Sequence, residues 1–314
     1  MSRPWDLSIR TSVGHNDNVQ LVPNITTFPV GGSKSANYFS LQVDGKYRFY
    51  QSNQWEAGVT LAATSLWYEN KLQTITPPQW KFNDYNFGNY NPGVYTTYLF
   101  QAADMPASIT ASYDFYNENG HNNNLGALGL SSHNFHLSGS IRPLDNLQLT
   151  LSLLRGVDNF QVTFPDPALD DRDGVRTGID LGARMWLDHG RHNVSVGLGY
   201  LDNKAKGSNF DYKGYNSKAR FETGLLNPVW LAAEIDYANY KYNGFAAVQP
   251  WKLAFITPPG RTSQKITTTL VQAIWPVTPH WFVDAFYRHE SYKSNMAQFA
   301  ASVNIYGTGL SYRF

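Results

Sequence analysis

The stretch Val303–Phe314 (VNIYGTGLSYRF) decides how the rest of the chain is read. Taken in steps of two from Phe314, the residues Tyr312, Leu310, Thr308 and Tyr306 fall on one face. Arg313, Ser311, Gly309 and Gly307 fall on the other, with Ile305 the apolar exception. Side chains alternate across an extended strand, so one side of this segment suits hydrocarbon and the other suits water or a close neighbour.

The same period of two recurs back to the amino terminus. From Trp5 to Val13, the residues Trp5, Leu7, Ile9, Thr11 and Val13 share a face, and Asp6, Ser8, Arg10 and Ser12 take the other. Tyr38 to Tyr50 sends Phe39, Leu41, Val43, Tyr47 and Phe49 outward, with Ser40, Gln42, Asp44, Lys46 and Arg48 inward. Trp55 to Trp67 follows after a tight connection at Ser52-Asn53. Later pairs are 94–101 with 107–116, 133–142 with 147–155, 175–187 with 192–201, 215–225 with 229–240, and 263–275 with 280–290. Their short turns carry Asp, Asn, Gly and Pro, residues that suit turn geometry. With the terminal segment the pattern predicts about fourteen strands, between twelve and sixteen.

Composition narrows the solvent. The chain has 314 residues and no apolar run of helical-span length, which excludes a membrane helix. Mean hydropathy is −0.40, yet aromatic residues reach 15% and charged residues only 16%, low for a soluble surface. A soluble β-sandwich is the bland alternative. In hydrocarbon, however, a sheet edge leaves unpaired N–H and C=O groups, so alternating strands in a membrane must close. The expectation is one domain over residues 1–314: an all-β, transmembrane, antiparallel up-and-down barrel. Trp5, Trp55, Trp275 and Trp281 lie beside short turns, and Trp67, Phe115, Tyr200, Tyr237 and Tyr287 beside long loops. They are candidates for two interfacial girdles. Core packing is the other reading of these rings.

Lys+Arg 25 against Asp+Glu 24 leaves no basic footprint for nucleic acid. The absence of cysteine excludes disulfides and thiol catalysis, and fits an oxidising compartment. Met1-Ser2-Arg3-Pro4-Trp5 has no apolar signal core, so the expectation is that a leader or further upstream sequence has been removed.

A terminal strand ending in Phe314 resembles the closing strand of bacterial outer-membrane barrels. A finer resemblance rests on Trp5-Asp6-Leu7-Ser8 through Gly14-His15-Asn16-Asp17-Asn18-Val19, Asp171-Arg172-Asp173-Gly174, Gly207-Ser208-Asn209-Phe210-Asp211-Tyr212, and Ser291 to Asn295. These motifs resemble the carboxyl-terminal barrels of tetratricopeptide-repeat outer-membrane export and assembly proteins, although no repeat helices precede Trp5. The resemblance implies a bacterial outer-membrane location, short periplasmic turns and long extracellular loops. It also implies lipid and lipopolysaccharide as surroundings, barrel-assembly machinery reading Phe314, and a periplasmic export partner.

The inward positions carry the functional expectation. Lys46, Arg48, Glu56, Asp114, Arg142, Arg176, Asp180, Arg184, Lys218, Arg220, Glu222, Glu234, Asp236, Asp284, Arg288 and Arg313 are expected to line a pore. Their signs are balanced, which favours neutral or zwitterionic solutes over an anionic polymer. A salt-bridge lattice that stiffens the wall is the competing reading. Inward Tyr116, Trp186, Trp230, Phe282 and Phe286 suit sugar stacking or plain filling. The ring-rich 69–93 loop, with Trp80, Phe82, Tyr85, Phe87 and Tyr90, is the candidate constriction or cap. The second is 241–262, with Phe245, Trp251 and Phe255.

Enzyme signals are weak. Asp166, Asp170, Asp171 and Asp173 form a hard-ligand cluster without the spacing of an EF-hand loop. His121, His133 and His136 share a neighbourhood, but only His136 is expected inward. The expectation is therefore no cofactor, no enzyme, and a passage for hydrophilic molecules. Surface-polymer export leads, and a general or sugar-selective porin follows. A membrane hydrolase and a purely structural or surface-binding barrel are the remaining classes.

Overall fold

The computed structural model describes residues 3–19, 35–70, 85–120, 129–160, 171–243, 263–295 and 300–314. Fourteen strands run in chain order. They are β1 (Trp5–Asn16), β2 (Ala36–Gln51), β3 (Trp55–Tyr68), β4 (Phe87–Ala102), β5 (Met105–Gly120), β6 (Leu130–Leu144) and β7 (Leu147–Phe160). The second half comprises β8 (Gly174–Leu187), β9 (His192–Ala205), β10 (Tyr212–Leu226), β11 (Val229–Tyr242), β12 (Ser263–Pro276), β13 (Trp281–Ser294) and β14 (Ala301–Arg313). Each pairs antiparallel with its sequence neighbours, and β1 closes on β14 from Ser8↔Arg313 to Asn16↔Ile305. Closure pairs the two edges that hydrocarbon would otherwise leave bare.

Burial is inverted relative to a soluble domain. The described residues bury only Ala36, Ala107, Ala232, Ala301 and Val303 among apolar side chains, whereas Asn16, Asn18, Ser132, Asn134, Asp158, Asp284 and Glu290 are buried. Large apolar side chains such as Leu61, Leu149, Leu181, Leu198 and Val271 stand exposed on the outer face. That is the arrangement of a wall whose outside is solvated by lipid. At the short-turn end, Trp5, Trp55, Trp275 and Trp281 are exposed. Trp281 packs edge-on against Tyr312 at 4.7 Å, and Trp5 lies 5.9 Å from Phe314. At the long-loop end Phe39 stacks on Trp67, and Tyr215 lies beside Tyr237. Amphipathic rings at both rims match the two headgroup layers.

The short connections are tight. Ala103 and Asp104 both take positive φ (48° and 64°), a two-residue turn between β4 and β5 whose twist matches the flanking strands. This turn lies one residue earlier than the Asp104-Met105-Pro106 turn that the sequence suggests. At the other end the strands run further than alternation alone predicts. β4 starts at Phe87 rather than Val94, β7 continues to Phe160, and β9 to Ala205. Asn91-Pro92-Gly93 falls within the expected 69–93 loop, yet Pro92 sits in β4 opposite Leu61 of β3. On the other side, pairing with β5 passes from Tyr90↔Asn117 directly to Gly93↔Asp114, so the proline's missing N–H falls where no ladder bond is made.

Candidate functional site: the charged inner wall

Strand parity places all sixteen expected lining residues on the face opposite the exposed apolar side chains. The structure gathers most of them into clusters. On β2–β4, Glu56 accepts from Lys46 Nζ at 2.8 Å and from the Tyr95 hydroxyl at 2.7 Å, and Arg48 stands 3.8 Å away. The Lys46 ammonium also sits 4.4 Å from the Tyr95 ring centroid. On β10–β11, Arg220 bridges Glu222 at 2.6 Å and Glu234 at 3.0 Å, and Lys218 reaches Glu234 at 3.1 Å and Asp236 at 3.9 Å. Asn193 of β9 extends this rail by donating to Glu222 and accepting from Arg184 of β8. Arg184 and Arg142 both lie over the Trp186 ring, at 5.2 and 5.6 Å.

Two further clusters span four and three strands. Arg10 of β1 crosses β14 to grip Asp284 of β13, with Nη2–Oδ2 2.7 Å and Nε–Oδ1 3.0 Å. Gln272 of β12 donates to the same carboxylate. The crossing needs Gly309: a Cβ there would stand 2.6 Å from Asp284 Oδ1 and 2.9 Å from Arg10 Nε. Arg176 of β8 likewise crosses β7 above Gly156. It holds Asp158 at 2.5 and 2.9 Å and donates to Ser132 and Asn134 of β6. Ser132 also donates to Asp158 at 2.5 Å. Asp114 takes Asn134 and His136 at 2.9 and 3.0 Å, and Arg288 pairs with Glu290 at 2.6 Å.

Pairing follows reach. Residues four apart on one strand stand roughly 13 Å apart, whereas adjacent strands are about 5 Å apart and next-but-one strands about 10 Å. Thus Asp284 pairs with Arg10 rather than Arg288, and Arg184 turns to Asn193 rather than Asp180. Among the described residues, no cation lies within ion-pair distance of Asp180. Arg313 packs over the Phe282 ring at 4.6 Å. Of the other inward rings, Tyr116 donates to Glu118, Phe286 faces Arg10 and Trp230 covers Gly224.

Of the rings named for a constriction or cap in residues 69–93, three lie among the described residues. Phe87 and Tyr90 belong to β4, and Tyr85 lies two residues before it. Tyr90 points outward, 6.3 Å from Phe115, because the strand absorbs the Asn-Pro-Gly segment. Trp80 and Phe82 lie outside the described residues, as do Phe245, Trp251 and Phe255. Of the acidic cluster, Asp166 and Asp170 also lie outside them. Asp171 accepts from the Asp173 N–H, and Asp173 accepts from the Phe160 N–H at 2.7 Å and from Lys206 Nζ at 3.0 Å. Partial burial works against the Asp173 charge, but these two donors hold its carboxyl below the usual carboxylate range. His133 faces outward beside Tyr113, and His121 lies outside the described residues.

Sequence reasoning did not single out Arg10, Asp158, Ser132, Tyr95 or Glu290. Asp158 lies beyond the expected end of its strand. For Arg10 the only local signal is a glycine, Gly309, facing inward on the strand that separates it from Asp284. The motifs behind the finer resemblance build the long-loop rim. Asn16 Oδ1 accepts from the Asn18 N–H, and Asp17 accepts from the Asn304 N–H at 2.7 Å, clasping β1 to β14. The Lys206 and Gly207 N–H groups donate to the Asp173 and Asp171 carbonyls, and Asn295 Oδ1 accepts from the Ser263 N–H.

No family model and no curated protein matches the chain. Solved structures do. A TodX monoaromatic hydrocarbon channel mutant superposes with TM-score 0.52 at 10% identity, covering 100% of this chain and 90% of that one. OmpT, an outer membrane protein of Vibrio cholerae, superposes with TM-score 0.51 at 9% identity, covering 99% and 97%. At such identities the likeness is one of architecture. The chain has the closed antiparallel fold of outer-membrane β-barrels.

Proposed function

We propose that the chain sits in a Gram-negative outer membrane and forms a water-filled passage for neutral or zwitterionic hydrophilic solutes. One observation carries this reading. The inner wall is charged on most strands (β4, β9 and β12 have no inward charge), balanced in sign, and open to water: Lys46 and Lys218 keep 46% and 52% of their side-chain surface exposed. A barrel of eight strands is filled by its own side chains, whereas sixteen to eighteen leave a channel, and fourteen lies between. Exposed inner lysines argue for space rather than filling. Rings of a single charge set ion selectivity, and the described residues form none. Inward rings at Tyr95, Trp186, Phe282 and Phe286, each beside a cation, offer stacking faces for sugars.

Vesicles reconstituted with the protein should swell in neutral sugars and in zwitterionic amino acids at comparable rates. In a salt gradient the reversal potential should stay near zero. Swelling at the level of empty vesicles contradicts a passage, and a strong preference for anions contradicts the solute class. Export of a surface polymer is the second reading, favoured by the motifs at the long-loop rim. It predicts that flux of sugars appears only with a periplasmic partner present.

A further inference from the structure

The outer wall at the long-loop end carries a row of lysines that the passage does not use. Lys213 of β10, Lys241 of β11, Lys265 of β12 and Lys293 of β13 all have outward parity and are exposed. They lie beyond the ring belt of Tyr215, Tyr237 and Tyr287, toward the long loops. The register sets Lys213 directly opposite Lys241, and Lys265 directly opposite Lys293. Like charges directly opposed across a ladder destabilise it, so two such pairs side by side favour a bound anion. Asp202 and Asp211 sit at one end of the row, where Lys213 reaches Asp202 at 3.7 Å and Lys204 reaches Asp211 at 3.6 Å. Among the described residues no carboxylate lies within ion-pair distance of Lys241, Lys265 or Lys293. The sequence has no Asp or Glu between Asp236 and Asp284.

We infer that this row binds the phosphates of an anionic glycolipid in the outer leaflet, a site separate from the lumen. The inference rests on the outer-membrane placement proposed above. Four adjacent strands spaced roughly 4.8 Å apart spread the ammonium groups over about 15 Å, enough to span a headgroup bearing two phosphates. Exposed Tyr215 and Tyr287 below supply the amphipathic edge at which such a headgroup sits. A lysine near an anionic membrane surface contributes about fivefold in affinity.

The test uses the full chain refolded in neutral detergent micelles, with native mass spectrometry and thermal unfolding as readouts. The probes are diphosphorylated lipid A, the same lipid dephosphorylated, and inorganic phosphate. The parent should retain the diphosphorylated lipid and unfold at a higher temperature with it, and should ignore the other two probes. The double variant Lys265→Gln/Lys293→Gln should unfold at a higher temperature than the parent in plain micelles, because the opposed charges are gone. With the phosphorylated lipid that order should reverse, and affinity should fall by more than tenfold. Conductance of the double variant should match the parent, which separates this wall from the lumen. Equal binding of dephosphorylated lipid, displacement by inorganic phosphate alone, or unchanged affinity in the double variant each overturns the inference.

Discussion

At the long-loop end of β7, Asp158 keeps 7% of its surface and takes three hydrogen bonds from Ser132 and Arg176. On β10, Lys218 pairs with Glu234 and Asp236 yet leaves half of its side chain in water. Both are inward charges in balanced clusters, but their energetics differ. A buried ion pair is costly to break, because removal of one partner strands the other in low dielectric. An exposed pair is screened and contributes little to stability. The inner wall therefore contains charges that brace the strands, at Arg10–Asp284 and Arg176–Asp158. It also contains charges that face a solute, at Lys46, Lys218 and Asp236.

The largest expected effect comes from breaking a brace. Asp158→Ala should destabilise the barrel by about 3 kcal/mol, the lower end for a buried pair because Arg176 is partly exposed. Loss of the heat-resistant folded band at lower temperature on a gel would register it. If the variant unfolds like the parent, Asp158 does not brace β6–β8.

Next comes Gly309→Val, which forces a side chain into the Arg10–Asp284 crossing and should cost about 1–3 kcal/mol through overpacking and the lost pair. Gly139→Val is the control, since a Cβ at Gly139 meets only the Ser108 carbonyl oxygen, at 3.9 Å. Equal melting temperatures for the two variants would show that the glycine is incidental.

Lys218→Gln sharpens the other side of the comparison. It should change stability by less than about 1 kcal/mol. The reversal potential in a salt gradient should nonetheless move toward cation preference, because Glu234 and Asp236 lose a partner. Asp236→Asn should move it the opposite way. A stability loss as large as that of Asp158→Ala would erase the distinction drawn here.

The smallest effect concerns the rim. Asp173 has its folded pKa below the unfolded value, so its contribution is present above about pH 4 and fades as pH falls through the folded value. The Phe160 amide, which donates to Asp173, should lose hydrogen-exchange protection over that acid range. In Asp173→Asn the same amide should show no such pH dependence.

Much of this architecture was legible because lipid-facing positions leave a period of two that turns and loops do not. Trp5 and Trp55 mark the first residues of β1 and β3, and tight turns fix the lower strand ends within a residue or two. The upper ends were less legible. Beyond the aromatic belt the outer face turns polar, as at Asp202, Lys204 and Lys213, and alternation vanishes while the ladder continues. That is why the upper end of β9 was missed; Asn91-Pro92-Gly93 hid the start of β4, and outward Arg155 breaks the apolar pattern of β7 just before Asp158. The partners within the wall were illegible for another reason. Arg10 and Asp284 lie at opposite ends of the chain, and only closure of β1 on β14 brings them together.

The absence of cysteine makes one measurement especially direct. Lys218→Cys, reconstituted in a planar bilayer, is exposed to a small anionic thiol reagent while single-channel current is recorded. A water-filled passage past β10 predicts current steps whose preference shifts further toward cations once the thiol is modified. Absence of steps at every voltage would contradict that passage, and so would steps that do not respond to complete modification.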